Sequence, residues 1–136
     1  LSCHLAIEHY LDNFLKSISP DLDWKKGNLS FAQKVNLLGE LDIYKSNDFI
    51  PTLKHMNSLR NKFSHQLDFQ PSGEDFLPFT YFLKKLKGID QEEESEIPTS
   101  KIEVLELFTN SICAWLGGAV WSFEWHRNQK DTIEDS

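Results

Sequence analysis

The chain is poor in features that usually advertise chemistry. It has two cysteines, Cys3 and Cys113, with no CxxC pair and no nearby His/Cys cluster. That excludes a disulfide framework or a thiolate zinc site, and reads both as buried thiols in apolar helical patterns. Such cysteine usage suits a reducing cytoplasm. No glycine-rich loop ends in GK[ST], and no GxSxG surrounds Ser64. His4, Glu8 and His9 form HxxxEH, where a helical zinc site needs HExxH or HxxEH. No cofactor and no metal site are therefore expected. No charged n-region followed by a short apolar h-region is visible, so no signal peptide is expected. The most apolar stretch, Ser111 to Phe123, is shorter than the roughly 20 residues that cross a bilayer, so no membrane span is expected.

Basic residues are also scarce, and the formal net charge of -7 disfavours a general polyanion binder, whose affinity comes mostly from neutralising phosphates. Their distribution changes the picture. Between Trp24 and His65 stand Lys25, Lys26, Lys34, Lys45, Lys54, Arg60 and Lys62 against only Glu40, Asp42 and Asp48. The carboxylates concentrate instead in 90–96 and in Asp131, Glu134 and Asp135. A modest anion-binding surface is thus left open in the middle of the chain.

With 136 residues there is enough chain for one core and too little for two, so residues 1–136 read as a single domain. Apolar residues recur at helical spacing. In the first segment they are Leu1, Leu5, Tyr10, Leu11, Phe14, Leu15 and Ile18, stopped by Ser19-Pro20. Asp21 to Leu29 reads as a loop with an exposed Lys25-Lys26-Gly27 turn. Ser30 can cap a second helix striped by Ala32, Val35, Leu38 and Leu41 and weakened near its end by Gly39. A third helix should start between Ser46 and Pro51, with Ser46, Asn47 or Asp48 as cap and Leu53, Met56, Leu59 and Phe63 as core stripe.

A turn at Gln70-Pro71-Ser72-Gly73 leads to an aromatic-rich helix over Phe76 to Leu86. The acidic segment 88–99 reads as a solvated loop. Ser100 and Glu103 form a capping-box pattern opening the longest helix, to about His126, with Ile102, Leu105, Phe108, Ile112, Trp115, Leu116, Ala119, Val120 and Phe123 on a broad apolar face. Its Gly117-Gly118 pair costs roughly 1 kcal/mol per glycine, which predicts close backbone packing there. His126, Arg127 and Lys130 should favour its carboxyl end, ahead of a mobile acidic tail over 128–136. The fold class is all-α: one bundle of about four or five helices.

The informative stretch is the polar edge of the third helix. Asn61 and His65 are four residues apart and share a face; Arg60 lies one ridge away, in line with Ser64. The core stripe is offset from them, so they point away from the bundle core. Histidine exchanges protons near neutrality, so it can take the proton of a ribose 2′-hydroxyl or supply one to a leaving 5′-oxygen. Arginine can hold a phosphate whose charge grows in the transition state, and Asn61 can orient the imidazole or bind a phosphate oxygen. Proton transfer at both oxygens wants two such groups. A two-fold dimer would supply them.

The run Leu59-Arg60-Asn61-Lys62-Phe63-Ser64-His65 resembles the signature of the HEPN superfamily, an Arg followed by four to six residues and then His, often with a polar residue straight after the Arg. The resemblance extends loosely over most of the chain, that superfamily being a bundle of four or five helices. It implies a homodimer whose facing motifs cleave RNA without a metal, in toxin, phage-defence or RNA-processing systems, where a cognate antitoxin or other protein partner is expected. Arg60, Asn61 and His65 would be the catalytic group, and Lys62 and Ser64 would contact substrate. Relatives resembling the mannitol operon repressor act as regulators. The alternative expectation is accordingly a noncatalytic regulatory, immunity or interaction module.

Overall fold

The computed structural model describes residues 2–41, 49–88, 90 and 100–134. Six α-helices follow in order: α1 (Ser2–Ile18), α2 (Trp24–Gly27), α3 (Phe31–Leu41), α4 (Ile50–His65), α5 (Leu77–Lys87) and α6 (Lys101–Glu134). A short 3-10 turn, Gly73–Phe76, precedes α5, and no strand occurs among the described residues. The all-α class expected from the apolar periodicity is what forms.

The helix ends follow local chemistry. Pro20 stops α1, and the Trp24 indole N–H donates to the Ser19 carbonyl (3.0 Å), fastening the corner. Asp23 accepts from the Lys26 amide and nucleates α2, so the expected Lys25-Lys26-Gly27 loop is one helical turn, closed by Asn28 in the left-handed region. Ser30 and Gln33 exchange hydrogen bonds at the start of α3, at 2.8 and 3.2 Å. Pro51 occupies the first turn of α4. The caps expected at Ser46, Asn47 or Asp48 lie outside the described residues. Ser72 and Asp75 close the 3-10 turn reciprocally, and Gly88 (φ +71°) ends α5 in a conformation that favours glycine. Most of the acidic segment 88–99 lies outside the described residues.

The core is built where α1 and α6 pack side by side. Tyr10 faces Gly117, the Phe14 ring lies 5.9 Å from Phe123, and Arg127 donates to the Ser17 carbonyl. These pairs advance together, so the two helices run parallel. Phe79 and Phe82 of α5 pack against Phe108 of α6, at 4.9 and 5.5 Å. On the other side, α3 and α4 close over Ile7, Leu11, Val35, Leu38, Leu53 and Met56, all buried.

Several expected faces are rotated. In α1, Leu5 is 66% exposed and Tyr10 lies at the rim, while Ile7 and His4 are buried. Leu1 lies outside the described residues. The apolar residues of α1 are spread widely enough to fit more than one helix phase, and packing against α3, α4 and α6 selects the one centred on Leu11. In α3, Phe31 is buried and Ala32 is exposed. In α4, Phe63 is 40% exposed, two residues before the helix ends, with the Phe69 ring 5.1 Å away. In α6, Val104 takes the buried position expected of Ile102, which is 70% exposed. Both cysteines are half-buried and free rather than fully enclosed, and burial, then neighbouring Cys3, push the Cys113 thiol up.

Helix α6 passes its expected end near His126 and continues to Glu134, so residues 128–134 prolong the helix instead of forming a separate tail. His126 and Arg127 therefore sit inside the helix, where His126 Nδ1 donates to the Ser122 carbonyl (2.7 Å). Of the glycine pair, only Gly117 meets a neighbour, the Tyr10 ring at 3.4 Å from where a Cβ would stand; Gly118 faces open space. By length and composition this helix would suffice to cross a membrane, a property the shorter stretch Ser111 to Phe123 did not have. Val104, Phe108, Ile112 and Leu116 of this helix are core residues, and 28% of its apolar window is buried within the bundle.

Candidate functional site

Helix α4 has two distinct sides. Ile50, Leu53, Met56 and Leu59 are buried, and they fix the rotation of the helix against the bundle. That rotation leaves Asn61, Lys62, Ser64 and His65 exposed and Arg60 half-buried on the flank facing α1. The Gln66 amide donates to the Lys62 carbonyl (2.9 Å) and ends the helix directly after His65. Over its whole length α4 carries Lys54, Arg60, Lys62, His55 and His65 and no carboxylate, inside a chain of net charge -7.

Each expected site residue can now be placed. Asn61 and His65 share one ridge, Arg60 and Ser64 the adjacent one. None of these four makes a hydrogen bond or ion pair within the chain among the described residues. Lys62 is separated from them: its ammonium lies over the Phe69 ring, 5.6 Å from the centroid, on the opposite edge of α4. His55 is half-buried, donating from Nε2 to the Asp75 carbonyl (2.6 Å) and packing 5.5 Å from Phe79. It anchors the turn before α5.

Beside Arg60 stands a group that the sequence only hinted at. His4 of α1 is 1% exposed, its ring 4.2 Å from that of Phe31, and neither ring nitrogen has a hydrogen-bond partner. Burial lowers its pKa first and the Arg60 guanidinium second; the Glu8 carboxylate and the Asn57 amide oppose them without reversing the direction. His4 is thus held as a neutral imidazole against the Arg60 flank. His4 and Glu8, four residues apart on α1, share a face of the helix. Glu8 is shared with Lys34 (3.4 Å), which also reaches Asp12 (2.8 Å). Burial works against the Lys34 charge, but the bond and charge of Asp12, with help from Glu8, hold its pKa above the ordinary lysine value.

His4, Glu8 and His9 do not converge: His4 is buried, Glu8 faces Lys34, and His9 is exposed beside Asn13 (3.4 Å). Among the described residues no three His, Cys, Asp or Glu side chains are grouped to hold a metal ion.

What the arrangement offers is a guanidinium without a carboxylate, a carboxamide and an imidazole on two neighbouring ridges, open to solvent on a carboxylate-free helix. Such a set can hold an oxyanion and move a proton. No family model, no curated protein and no solved structure matches the chain.

Proposed function

We propose that the protein is a metal-independent endoribonuclease of the HEPN type, acting in the cytoplasm as a two-fold homodimer with the two α4 helices close together. The observation that carries this reading is the unpaired state of Arg60, Asn61 and His65. Three polar side chains at the Arg-x4-His spacing are presented on one helix end and, among the described residues, make no hydrogen bond or ion pair that would explain them as structure.

In the proposed reaction, His65 of one protomer removes the proton of a ribose 2′-hydroxyl. The 2′-oxygen attacks the adjacent phosphorus, the bond to the 5′-oxygen breaks, and the equivalent imidazole of the second protomer protonates that oxygen. The products are a 2′,3′-cyclic phosphate and a 5′-hydroxyl. Arg60 neutralises the nonbridging oxygens as their charge grows, and its planar fork suits two of them at once. Asn61, one turn before His65, orients the imidazole or takes a phosphate oxygen, and Ser64 lies beside Arg60 to add a hydrogen bond to the strand. Lys62 serves at most as a distant charge from its place over Phe69.

The test is cleavage of RNA by purified protein with and without chelator, comparing the wild type with His65→Ala. Chelator-resistant cleavage that disappears in the variant supports the assignment, and cleavage surviving at full rate sinks it. A second reading, a noncatalytic regulatory or interaction module, is favoured by a different observation. Trp121 and Trp125 stack on each other on the outside of α6, their centroids 6.5 Å apart and Trp121 67% exposed. Exposed indoles of this kind serve protein contacts well.

A further inference from the structure

The groove between α3 and α4 takes no part in the reaction just described. Phe31, Ala32, Val35, Asn36, Lys54 and Asn57 line it around about 350 Å³, a volume within the range of ligand pockets. Its composition is divided. Phe31, Ala32 and Val35 give an apolar wall, and Asn36, Lys54 and Asn57 supply two carboxamides and a cation at the mouth. Behind Phe31 lies His4, a buried imidazole with the Asn57 amide beside it. The groove therefore adjoins the Arg60 flank rather than standing apart from it.

Its position along α4 matters as much as its lining. Asn57, Asn61 and His65 fall at i, i+4 and i+8, so one continuous ridge runs from the groove to the end of the helix, with Lys54 one turn further back. At about 1.5 Å per residue, Lys54 and His65 are roughly 16 Å apart along the axis. No carboxylate interrupts that path on α4. A strand whose scissile phosphate sits at Arg60 and His65 can follow the ridge into the groove.

We propose that the groove between α3 and α4 is a nucleotide subsite, holding one unpaired nucleotide of the RNA strand next to the scissile phosphate. Lys54 contacts its phosphate, Asn36 and Asn57 bond the edge of its base, and the base rests on Ala32, with the buried Phe31 and Val35 forming the floor beneath it. Carboxamides carry both donors and acceptors, as base edges do, and unpaired bases are commonly read in this way. The subsite rests on the ribonuclease reading for its orientation, yet it is tested without cleavage.

The probe is a fluorescein-labelled 2′-O-methyl RNA oligonucleotide, which cannot be cut because the attacking hydroxyl is blocked, followed by fluorescence anisotropy. Lys54→Ala and Asn57→Ala should each weaken binding about fivefold to tenfold, and Asn36→Ala by less. Lys54→Ala should also flatten the salt dependence by about one phosphate contact, and Lys54→Arg should restore both affinity and slope. With cleavable RNA the same variants should raise KM and leave kcat near the wild-type value. Melting temperatures unchanged from wild type show that the groove, not the fold, was altered. Wild-type protein that fails to bind the oligonucleotide, or three alanine variants that bind it as wild type does, overturns the subsite. If wild type cuts RNA while the variants bind normally, the subsite alone falls. If the variants lose binding while wild type cuts no RNA, the subsite stands and the ribonuclease reading falls.

Discussion

Along α1 and α6 side chains are matched to one another: Tyr10 covers Gly117, Phe14 meets Phe123, and Arg127 reaches the Ser17 carbonyl. On the last two turns of α4, by contrast, Arg60, Asn61, Ser64 and His65 make no hydrogen bond or ion pair among the described residues. The contrast separates two demands on one small bundle. Matched apolar surface supplies stability, and polar groups left without partners are available for something outside the chain. Changes in the first region should be read in melting curves, and changes in the second in binding and rate.

The largest effect expected on stability is at Phe108, buried and packed against both Phe79 and Phe82. Phe108→Ala should cost about 3 to 5 kcal/mol, measured by urea unfolding. A cost under 1 kcal/mol would show that the core is not organised around α6.

The other side of the comparison is sharpened by His65→Ala, which should lower cleavage by about 10² to 10⁴ while leaving RNA affinity and melting temperature close to wild type. Arg60→Ala should lower both affinity and rate, and Arg60→Lys should rescue poorly because a point charge lacks the planar fork. If the variants instead unfold, and rate falls only in proportion to folded protein, the two regions are not separable.

His4 lies on the border between them, and its effect should depend on pH. Above pH 6.5 its imidazole is neutral in both folded and unfolded chains. Below that value the unfolded chain takes up a proton that the folded one resists, so stability falls as pH drops from 6.5 toward the lowered folded pKa. His4→Phe should flatten that segment of the stability profile; a profile with the same slope in both proteins would refute the assignment.

A smaller change is expected in the glycine pair. Gly118→Ala enters open space and should stabilise by up to about 1 kcal/mol through helix propensity alone. Gly117→Ala should gain less, since its new methyl must fit against Tyr10. Equal gains at both positions would mean that Tyr10 does not press on α6. The least effect belongs to Lys34→Met, which gives up the pairs with Asp12 and Glu8 near the surface and should cost no more than about 1 kcal/mol by thermal melting.

Much of the bundle was legible because its helices are punctuated by strong signals: Ser19-Pro20 after α1, Ser30 with Gln33 before α3, Pro51 in the first turn of α4, Gly88 after α5. Which face each helix buries was less legible. In α1, Leu5 and Ile7 are equally apolar, and only the positions of α3, α4 and α6 decide that Ile7 goes inside. The same holds for Ile102 against Val104 in α6. At the site, the polar flank of α4 could be read from spacing, since Arg60, Asn61 and His65 belong to one helix. The approach of His4 could not, because the contact joins residues 56 positions apart and depends on how α1 lies against α4. The i, i+4 relation of His4 to Glu8 was the one local trace. It pointed to the right face, where Glu8 acts on the His4 ring while its carboxylate bonds Lys34.

The parallel pairing of α1 with α6 has a consequence for how the chain is made. Helix α1 has its principal neighbour in α6, which is synthesised only after all of α2 to α5. Leu11, Phe14 and Leu15 thus emerge from the ribosome long before the surface that buries them. Until then α3 and α4 can cover only part of that helix, and the rest stays open to wrong associations. Closing so long a loop late makes folding slower than the local helices would suggest, whatever the final stability. A nascent chain that stalls before Lys101 therefore leaves the face of α1 that α6 covers open to association, with no partner yet to receive it.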